Sequence, residues 1–526
     1  MENAAKTNSI VNLFCDNISV TENGAVGYET TTHPLLDMNF KVSSFRDRSE
    51  EEITEEFIKS FYSDRKYSVK WLFFLRDILE GLGERRTFRI CLKYLAVSHP
   101  QIARAVLDFV PEYGRFDDLL VLLDTPLRKE VSAMMKKQLY KDLKGMRENQ
   151  PVSLMAKWLP GINTSSRESR RLAQMLVEDF GMSPRIYRKI LAELRAYLEV
   201  VEVKITDQKW SEVAYEKVPA KASLKYDKAF SRHDGERRTE YLEQVMLGKV
   251  KLNAKGLVPH EIVHNMLKGN YGYGLQDDKL SELMWDCMME QGFQNEWGLD
   301  DCIVVADGSG SMFAPVSGSS SLRAIEVCNA LAIYFSQQLK GIYRDKAITF
   351  SESPKFIDLS AGHTLKEKLE IMFAHHEVAN TNIEAVFDLL LRVAVRQQIS
   401  ADELPKQVLI ISDMEFDEAR GYDSYYGSRT KHTADDERLF QVIEQKYRRA
   451  GYQMPRLIFW NVCGRTDTIP MVSGENGVCL LSGFSQNAMK VAAKKEIDPY
   501  ESLLKTLDSP RYDKIEDALV TVLPCV

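Results

Sequence analysis

A short polar segment, Asp307-Gly308-Ser309-Gly310-Ser311, follows an apolar run at 302–306 that predicts a fully buried strand. Oxygen-bearing side chains stand at every second position of this segment, and hard divalent cations prefer oxygen ligands. Asp307 would supply charge and the two serines would supply hydroxyl oxygens, while the glycines let the backbone turn tightly around an ion. The segment therefore predicts a cation site at the end of a strand.

Two later segments offer further oxygen ligands. Thr381 precedes a helical pattern and offers a hydroxyl, and Asp413 directly follows the apolar run 408–412. Carboxylate and hydroxyl oxygens favour Mg²⁺ over Zn²⁺, with Mn²⁺ or Ca²⁺ as alternatives. The predicted metal ligands are Asp307, Ser309, Ser311, Thr381 and Asp413.

The order Asp-x-Ser-x-Ser, then Thr, then Asp resembles the metal-ion-dependent adhesion site of von Willebrand factor A (vWA) domains. This resemblance implies an interaction domain with bound Mg²⁺, in which a protein partner can offer a carboxylate to an open metal position. Strand patterns at 302–306, 346–350, 406–412, 456–462 and 477–482 alternate with helical patterns. Such alternation predicts a doubly wound, Rossmann-like sheet, with ligands at the carboxyl ends of its strands.

The preceding half of the chain has a helical pattern. Ile53, Phe57 and Phe61, for example, follow one another at four-residue spacing, which places them on one helix face. Short helices joined by short loops predict an all-α module of HEAT-like helical repeats. We therefore predict a multidomain α and α/β chain with three parts: an N-terminal extension at 1–40, a helical-repeat module at 41–297 and a vWA domain at 298–526.

Three segments of the helical half carry a second resemblance. Residues 74–78 read FLRDI, residues 81–86 read GLGERR and residues 111–119 read PEYGRFDDL. These segments resemble the TROVE module of Ro ribonucleoproteins, which also carry a vWA domain and a Trp-Asn pair on a late strand, here Trp460-Asn461. The resemblance implies a ring of helical repeats, closed by the vWA domain, that binds structured or single-stranded small RNA.

Four more segments point to another family. They are Glu22-Asn23-Gly24-Ala25, Ala156-Lys157-Trp158-Leu159-Pro160, Tyr215-Glu216-Lys217-Val218-Pro219 and Pro259-His260-Glu261-Ile262. These segments resemble a family known only as domain of unknown function 2828, a distant Ro-like relative without an established activity. The likeness to this family is clearer than the likeness to the Ro proteins, and RNA binding is implied through the latter.

The net charge of −7 hides a difference between the two halves. Residues 41–210 hold 31 Lys and Arg against 25 Asp and Glu, whereas residues 299–526 hold 25 against 32. A basic stretch on a helical scaffold can follow phosphate backbones, while ion pairing within the fold is the alternative. The candidate RNA-binding residues are Lys70, Arg76, Arg85, Arg86, Arg89, Arg167, Arg170, Arg171, Arg185, Arg188 and Lys189.

A His-Glu-x-x-His motif, from His260 to His264, provides the enzyme alternative. On a helix both imidazoles share one face, where they could hold Zn²⁺ with Glu261 as the base and Glu282 as the third ligand. A zinc metallopeptidase is one interpretation, and histidines at the start of an ordinary helix are the other. The chain has no P-loop and no Gly-x-Ser-x-Gly segment.

Length and composition limit the class of protein. A chain of 526 residues exceeds a single hydrophobic core. The chain contains neither an apolar stretch long enough to span a membrane nor a secretory pattern at its start. Its eight cysteines are scattered, which is typical of reduced thiols in a cytoplasmic protein.

These patterns together predict a non-enzymatic, cytoplasmic RNA-binding protein with a Mg²⁺-binding interaction domain. We expect no membrane association and no DNA specificity. A protein scaffold that uses the metal site without RNA is the second hypothesis, and salt-dependent RNA retention distinguishes the two.

Overall fold

The computed structural model describes most of the chain, and its residues form two compact units. The described residues are 18–20, 26–252, 254, 256–267, 275, 277–292, 299, 301–376, 381–415, 435–464, 469, 478–494 and 498–523. The α/β unit comprises 1–49 and 257–506, and the helical unit comprises 50–256 and 507–526. The predicted segment 22–25 and the predicted boundary at 297/298 lie outside the described residues.

The strands and α-helices are labelled in chain order. The strands are β1 (Ile18–Val20), β2 (Val26–Tyr28), β3 (Cys302–Asp307), β4 (Lys346–Phe350), β5 (Phe356–Asp358), β6 (Gln407–Ser412), β7 (Arg456–Asn461) and β8 (Val478–Ser482). The helices up to residue 206 are α1 (Pro34–Phe40), α2 (Glu50–Ser63), α3 (Arg65–Arg76), α4 (Arg86–Ser98), α5 (Pro100–Val106), α6 (Val110–Tyr113), α7 (Arg128–Arg147), α8 (Met155–Trp158), α9 (Arg167–Phe180), α10 (Pro184–Tyr197) and α11 (Val201–Thr206). The later helices are α12 (Ala220–His233), α13 (Gly235–Met246), α14 (Pro259–Leu267), α15 (Lys279–Gly292), α16 (Ala324–Gln338), α17 (Leu365–His375), α18 (Ile383–Gln397), α19 (Asp435–Arg449), α20 (Met489–Ala492), α21 (Pro499–Leu507) and α22 (Asp513–Val520).

The α/β unit is built on a six-stranded sheet with the order β5-β4-β3-β6-β7-β8. All neighbouring strands are parallel except β4 and β5. The chain leaves the central strand β3 toward β4 and later returns to its other side as β6, so the switch point of the sheet lies at β3. The predicted architecture, a helical part followed by a doubly wound sheet, is confirmed.

Helix α16 explains how the central strand is covered. Every residue from Ala324 to Ser336 is buried, because the helix packs against β3 on one side and against α14 and α15 on the other. A mostly apolar helix is the expected sequence for such an enclosed position, and its buried polar exceptions are Glu326, Asn329 and Ser336. The strands are equally enclosed, since all residues of β3 and β6 are buried.

The N-terminal segment belongs to the α/β unit, which differs from the predicted extension at 1–40 followed by a helical module at 41. Helix α1 contacts β8, and the backbone N–H of Ser43 donates to the Ser482 hydroxyl at 3.0 Å. The Arg46 guanidinium lies 3.4 Å from the centre of the Phe484 ring, a cation–π contact. Because of these contacts the chain belongs to the α/β unit as far as Ser49, which lies beyond the predicted boundary at residue 40.

Helices α9 and α10 form a hairpin whose ends follow from the local sequence. The Ser166 and Ser183 hydroxyls cap the two helix starts by accepting backbone N–H bonds from Ser169 and Ile186. Gly181 ends α9 in the left-handed conformation, with φ of 63°. The two helices are joined by the short turn 181–183.

The last segment of the chain, from Leu507, packs on the helical unit, although the prediction assigned it to the vWA domain. Helix α22 contacts α3 and α5. The fully buried Lys70 Nζ donates to Asp508 at 2.7 Å and to Glu516 at 2.5 Å. Arg511 pairs with the buried carboxylate of Asp77 at 2.8 Å. The helical unit is therefore completed by a segment that is separated from its first part by the 250 residues 257–506.

Candidate functional site

The predicted cation site lies where β3 and β6 end. The two strands pair in parallel, with Ala306 opposite Ile411, so Asp307 and Asp413 come to the same edge of the sheet. Both aspartates are almost completely buried, each with 1% of its surface exposed. The sheet therefore brings together two carboxylates that are 106 positions apart in the sequence.

The side chain of Asp307 is fixed by two hydrogen bonds. Its Oδ1 accepts from the Ser309 backbone N–H at 2.9 Å, and its Oδ2 accepts from the Ser412 hydroxyl at 2.6 Å. The hydroxyl oxygens of Ser309 and Ser311 lie 3.0 Å apart. Three of the predicted ligands thus lie in one short turn after β3, as the alternation of oxygen-bearing residues predicts.

Asp413 is the least compensated group of the site. Its Oδ1 accepts from the Glu415 backbone N–H at 3.2 Å, but its buried Oδ2 has no hydrogen-bond partner. Burial, and after it the negative charge of Asp307, raises the pKa of Asp413 to about 7, and the Ser311 hydroxyl opposes the shift. A buried carboxylate next to another carboxylate is stabilised either by taking up a proton or by a compensating positive charge.

The donor set fits a hard divalent cation. Two carboxylates and two serine hydroxyls supply oxygen ligands, and a cation at Asp413 Oδ2 would satisfy an atom that otherwise costs free energy to bury. Thr381 is buried at the start of α18, whose Asn382 side chain caps the helix. Its neighbour Asn380 lies outside the described residues.

Residues near the cation site were missed by the sequence analysis. Ser412 holds Asp307, and the buried Glu415 follows Asp413 by two positions. The His376 ring lies against Gly308, since a Cβ at Gly308 would be 2.1 Å from His376 Nδ1. Ser412 and Glu415 could have been found from their position beside a predicted ligand, whereas His376 carries no sequence signal.

The His-Glu-x-x-His motif lies on α14, but its side chains face different partners. Glu261 accepts from the Val258 backbone N–H at 3.3 Å, and the His260 ring packs edge-on against Phe484. His264 Nδ1 lies 2.5 Å from the buried Glu326 carboxylate. The motif therefore does not converge on one point.

The predicted third zinc ligand is used elsewhere. Glu282 accepts the backbone N–H groups of Leu365 and Lys366 at 2.8 and 2.9 Å, which fixes its carboxylate at the start of α17. Among the described residues, no cluster of three or more His, Cys, Asp or Glu side chains is placed to hold a metal ion. The geometry of this helix does not favour the zinc peptidase.

The structure contradicts two of the predicted RNA-binding residues, Lys70 and Arg76. Lys70 is fully buried in the ion pairs with Asp508 and Glu516, and Arg76 is 2% exposed and donates to Asp118 at 2.8 Å. A side chain without exposed surface cannot reach a phosphate backbone. These two cations stabilise the helical unit because each compensates a carboxylate within the fold.

The other predicted RNA-binding residues of this part of the chain, Arg85, Arg86 and Arg89, differ in how far they are engaged in ion pairs. The half-buried Arg89 donates through Nε to Asp118 at 2.7 Å and forms an ion pair with Asp117 at 2.7 Å, and Arg85 lies at 4.0 Å from Asp117. Arg86 is exposed at the start of α4. Intramolecular ion pairing, the alternative given for this group, therefore describes Arg89 best.

The predicted RNA-binding residues from Arg167 to Lys189 form a second group, which lies on the α9–α10 hairpin and is exposed. Arg171 bridges Asp124 and Glu168, so it is committed to the fold. The remaining side chains of the group form the hairpin basic surface. Its members are Arg167, Arg170, Arg185, Arg188 and Lys189, all exposed.

No helix among the described residues is both long enough and apolar enough to cross a membrane.

Comparisons with known proteins match both parts of the chain to families of unknown function. Residues 21–125 and 182–293 match Domain of unknown function (DUF2828), and residues 301–516 match Domain of unknown function (DUF7788). The predicted resemblance to the 2828 family is confirmed for the stretches it covers. The match at 301–516 spans the whole six-stranded sheet and all five predicted metal ligands.

Two individual proteins resemble the chain over most of its length. Uncharacterized protein L728 of Acanthamoeba polyphaga mimivirus is 28% identical over 533 residues, which cover 94% of this chain and 87% of the viral protein. The solved structure of the Deinococcus radiodurans Ro (RSR) protein has a TM-score of 0.45 and 12% identity, and the match covers 88% of this chain and 100% of that one. A likeness of this strength does not carry a function from the Ro protein to this chain.

Proposed function

We propose that the helical unit binds RNA through the hairpin basic surface and that the α/β unit holds a divalent cation. The observation that carries RNA binding is the exposure of five basic side chains on two consecutive helices, in the half of the chain that has a net positive charge. The sequence resemblance to the TROVE module supports RNA as the ligand. The proposal assigns no catalytic step to either site.

Phosphate contact is the mode of binding that this surface supports. Arginine presents a planar fork of donors that matches two phosphate oxygens, and four of the five residues are arginines. Each phosphate that is neutralised releases condensed counterions, so affinity should fall steeply as the salt concentration rises. Phosphate contacts carry no base information, so the preference among RNA sequences should be weak.

Charge reversal tests the RNA proposal. We expect the double variant Arg185→Glu and Arg188→Glu to weaken binding of a mixed-sequence small RNA at least 10-fold at low salt and to flatten the salt dependence. The measurement is fluorescence anisotropy over a series of salt concentrations with the full chain. The matched control is Arg392→Glu with Arg396→Glu, an equal charge change on exposed positions of α18.

Wild-type protein that retains no RNA at low salt would contradict RNA binding altogether. Equal loss in the control variant would show that net charge, and not the hairpin basic surface, controls the affinity.

The buried, unpartnered Asp413 Oδ2 supports Mg²⁺ at the α/β unit, with Asp307, Ser309, Ser311, Thr381 and Asp413 as its ligands. Mn²⁺ or Ca²⁺ would use the same oxygen ligands. The function of such an ion would be to receive a carboxylate of a protein partner, so interaction through this site is the second candidate function. Isothermal titration with Mg²⁺ tests the cation directly.

A further inference from the structure

The second histidine of the His-Glu-x-x-His motif stands between a buried acid and an exposed hydroxyl. His264 Nδ1 lies 2.5 Å from Glu326 Oε2, and His264 Nε2 lies 3.4 Å from the Ser321 hydroxyl oxygen. The exposure of the three side chains rises in the same order: Glu326 is 1% exposed, His264 is 24% exposed, and Ser321 is exposed. The acid thus orients one ring nitrogen and the other faces a serine.

We propose that Ser321, His264 and Glu326 form a serine nucleophile site that reacts with small carboxylic esters. A serine activated by a histidine, which an acid orients in turn, is recognised by geometry and roles and not by sequence order. Glu326 sets the ring tautomer by accepting the Nδ1–H bond, which leaves Nε2 free to accept the serine proton. This activity goes beyond the proposed RNA and cation binding, and it revises the expectation of a protein without catalysis.

The three side chains are carried by elements that hold them in place. His264 lies on α14 and Glu326 lies on α16, and these two helices pack closely against each other. Ser321 lies on a loop closed by two backbone hydrogen bonds, from Val316 N–H to the Leu322 carbonyl and from Ala324 N–H to the Ala314 carbonyl. A nucleophile on a closed loop keeps its direction toward the base better than one on an open loop.

Glu326 has the environment that an orienting acid requires. It is fully buried, its Oε2 faces His264, and its Oε1 has no hydrogen-bond partner. A buried carboxylate with little other compensation favours a positive charge on its neighbour. The imidazolium that forms when His264 takes a proton is therefore stabilised, which makes Glu326 a positioning residue.

The reaction has two balanced halves. In the first, Ser321 Oγ bonds to the ester carbonyl carbon, its proton passes to His264 Nε2, and the C–O bond to the alcohol breaks as the alcohol takes that proton away. In the second, water adds to the acyl carbon, gives a proton to His264, and releases the carboxylic acid as the proton returns to Ser321 Oγ. An ester is the expected substrate class because an alcohol leaves more readily than an amine.

A fluorophosphonate probe tests the site in the full chain. We expect the probe to modify Ser321, identified by peptide mass spectrometry, and p-nitrophenyl acetate to be hydrolysed above the buffer rate. Ser321→Ala should abolish both signals, and His264→Asn should slow labelling about 100-fold or more. The matched control is Ser319→Ala, an exposed serine of the same loop, which should label at the wild-type rate.

Two substitutions of Glu326 distinguish a positioning role in the reaction from a purely structural role. Glu326→Gln should slow labelling at least 10-fold, and Glu326→Asp should restore part of the rate at a similar melting temperature. An unlabelled Ser321 in wild type, or labelling that persists in His264→Asn, would overturn the proposal.

Discussion

At Gly308 the turn that follows β3 packs against the His376 ring. A Cβ at this position would meet His376 Nδ1 at 2.1 Å, and the ring is held on its other side by a 3.1 Å hydrogen bond between Nε2 and Asn329. Burial, and after it the nearby His375, lowers the pKa of His376 to about 4. The ring is therefore neutral near pH 7, and it fills space that a side chain at Gly308 would need.

We expect Gly308→Ala to destabilise the α/β unit by about 1–3 kcal/mol, because a buried ring must move to admit the methyl group. The measurement is the free energy of unfolding in urea. Gly318→Ala is the control, since its Cβ would meet nothing within 4 Å. Equal stability of the two variants would show that His376 moves aside without cost.

Replacement of Asp413 should have opposite effects on thermal stability in the absence and in the presence of Mg²⁺. Without divalent cations, Asp413→Asn should raise the melting temperature, because it removes repulsion between two buried carboxylates. With Mg²⁺, the wild type should gain stability by mass action and the variant should not. Asp307→Ala should likewise abolish the response to Mg²⁺.

Thermal melts with and without Mg²⁺ make this comparison. Asp388→Ala removes a carboxylate of α18 that pairs with Lys446 of α19, and it serves as the control, with an unchanged response to Mg²⁺. Identical responses of wild type and Asp413→Asn would exclude a cation at Asp413.

At the scale of single elements, α14 carries a zinc-binding motif in its sequence, but in the fold the side chains of the motif do not converge on a zinc site. We expect purified protein to contain no stoichiometric zinc, because Glu282 caps α17 and His264 faces Glu326. Metal analysis by mass spectrometry measures this. Zinc at one equivalent, together with peptidase activity that Glu261→Gln removes, would restore the peptidase interpretation.

Lys70 of α3 forms a cluster of ion pairs with Asp508 and Glu516 of the C-terminal segment, and this cluster stabilises the helical unit. We expect Asp508→Ala with Glu516→Ala to cost about 2 kcal/mol, because the fully buried Lys70 loses both partners. Lys514→Ala on the same helix removes only the exposed pair with Glu112 and should cost about 0.5 kcal/mol or less. Urea unfolding measures both, and equal effects would contradict a special role for Lys70.

The same cluster gives a pH dependence with a definite sign. The hydrogen bond from Lys70 is the largest effect on Glu516, and it lowers the pKa of this carboxyl. A carboxyl whose pKa is lower in the folded state contributes stability above its unfolded pKa and loses it as the pH falls through the folded value. Wild type should therefore lose more stability on acidification than the double variant.

At the scale of the whole molecule, the sequence predicted the features that depend on local pattern, such as the strands of the sheet. All five predicted strands lie in the sheet, because apolar runs bounded by turns report burial on both faces. The order of the oxygen-bearing residues after β3 and β6 predicted a common site, since parallel strands end at the same edge. The short edge strand β5 was missed because its three residues are too few to show a period.

The tertiary structure alone decided which charges are available and which distant groups meet. Lys70 and Arg76 look like surface cations in sequence, but partners 438 and 42 positions away bury them. The two ends of the chain complete units other than the predicted ones. The packing of α14 on α16 brings His264 to Glu326, and the loop before α16 brings Ser321 to the same histidine. Periodicity records whether a residue is buried, but the identity of its partner is set by the packing of distant elements, which a single sequence does not encode locally.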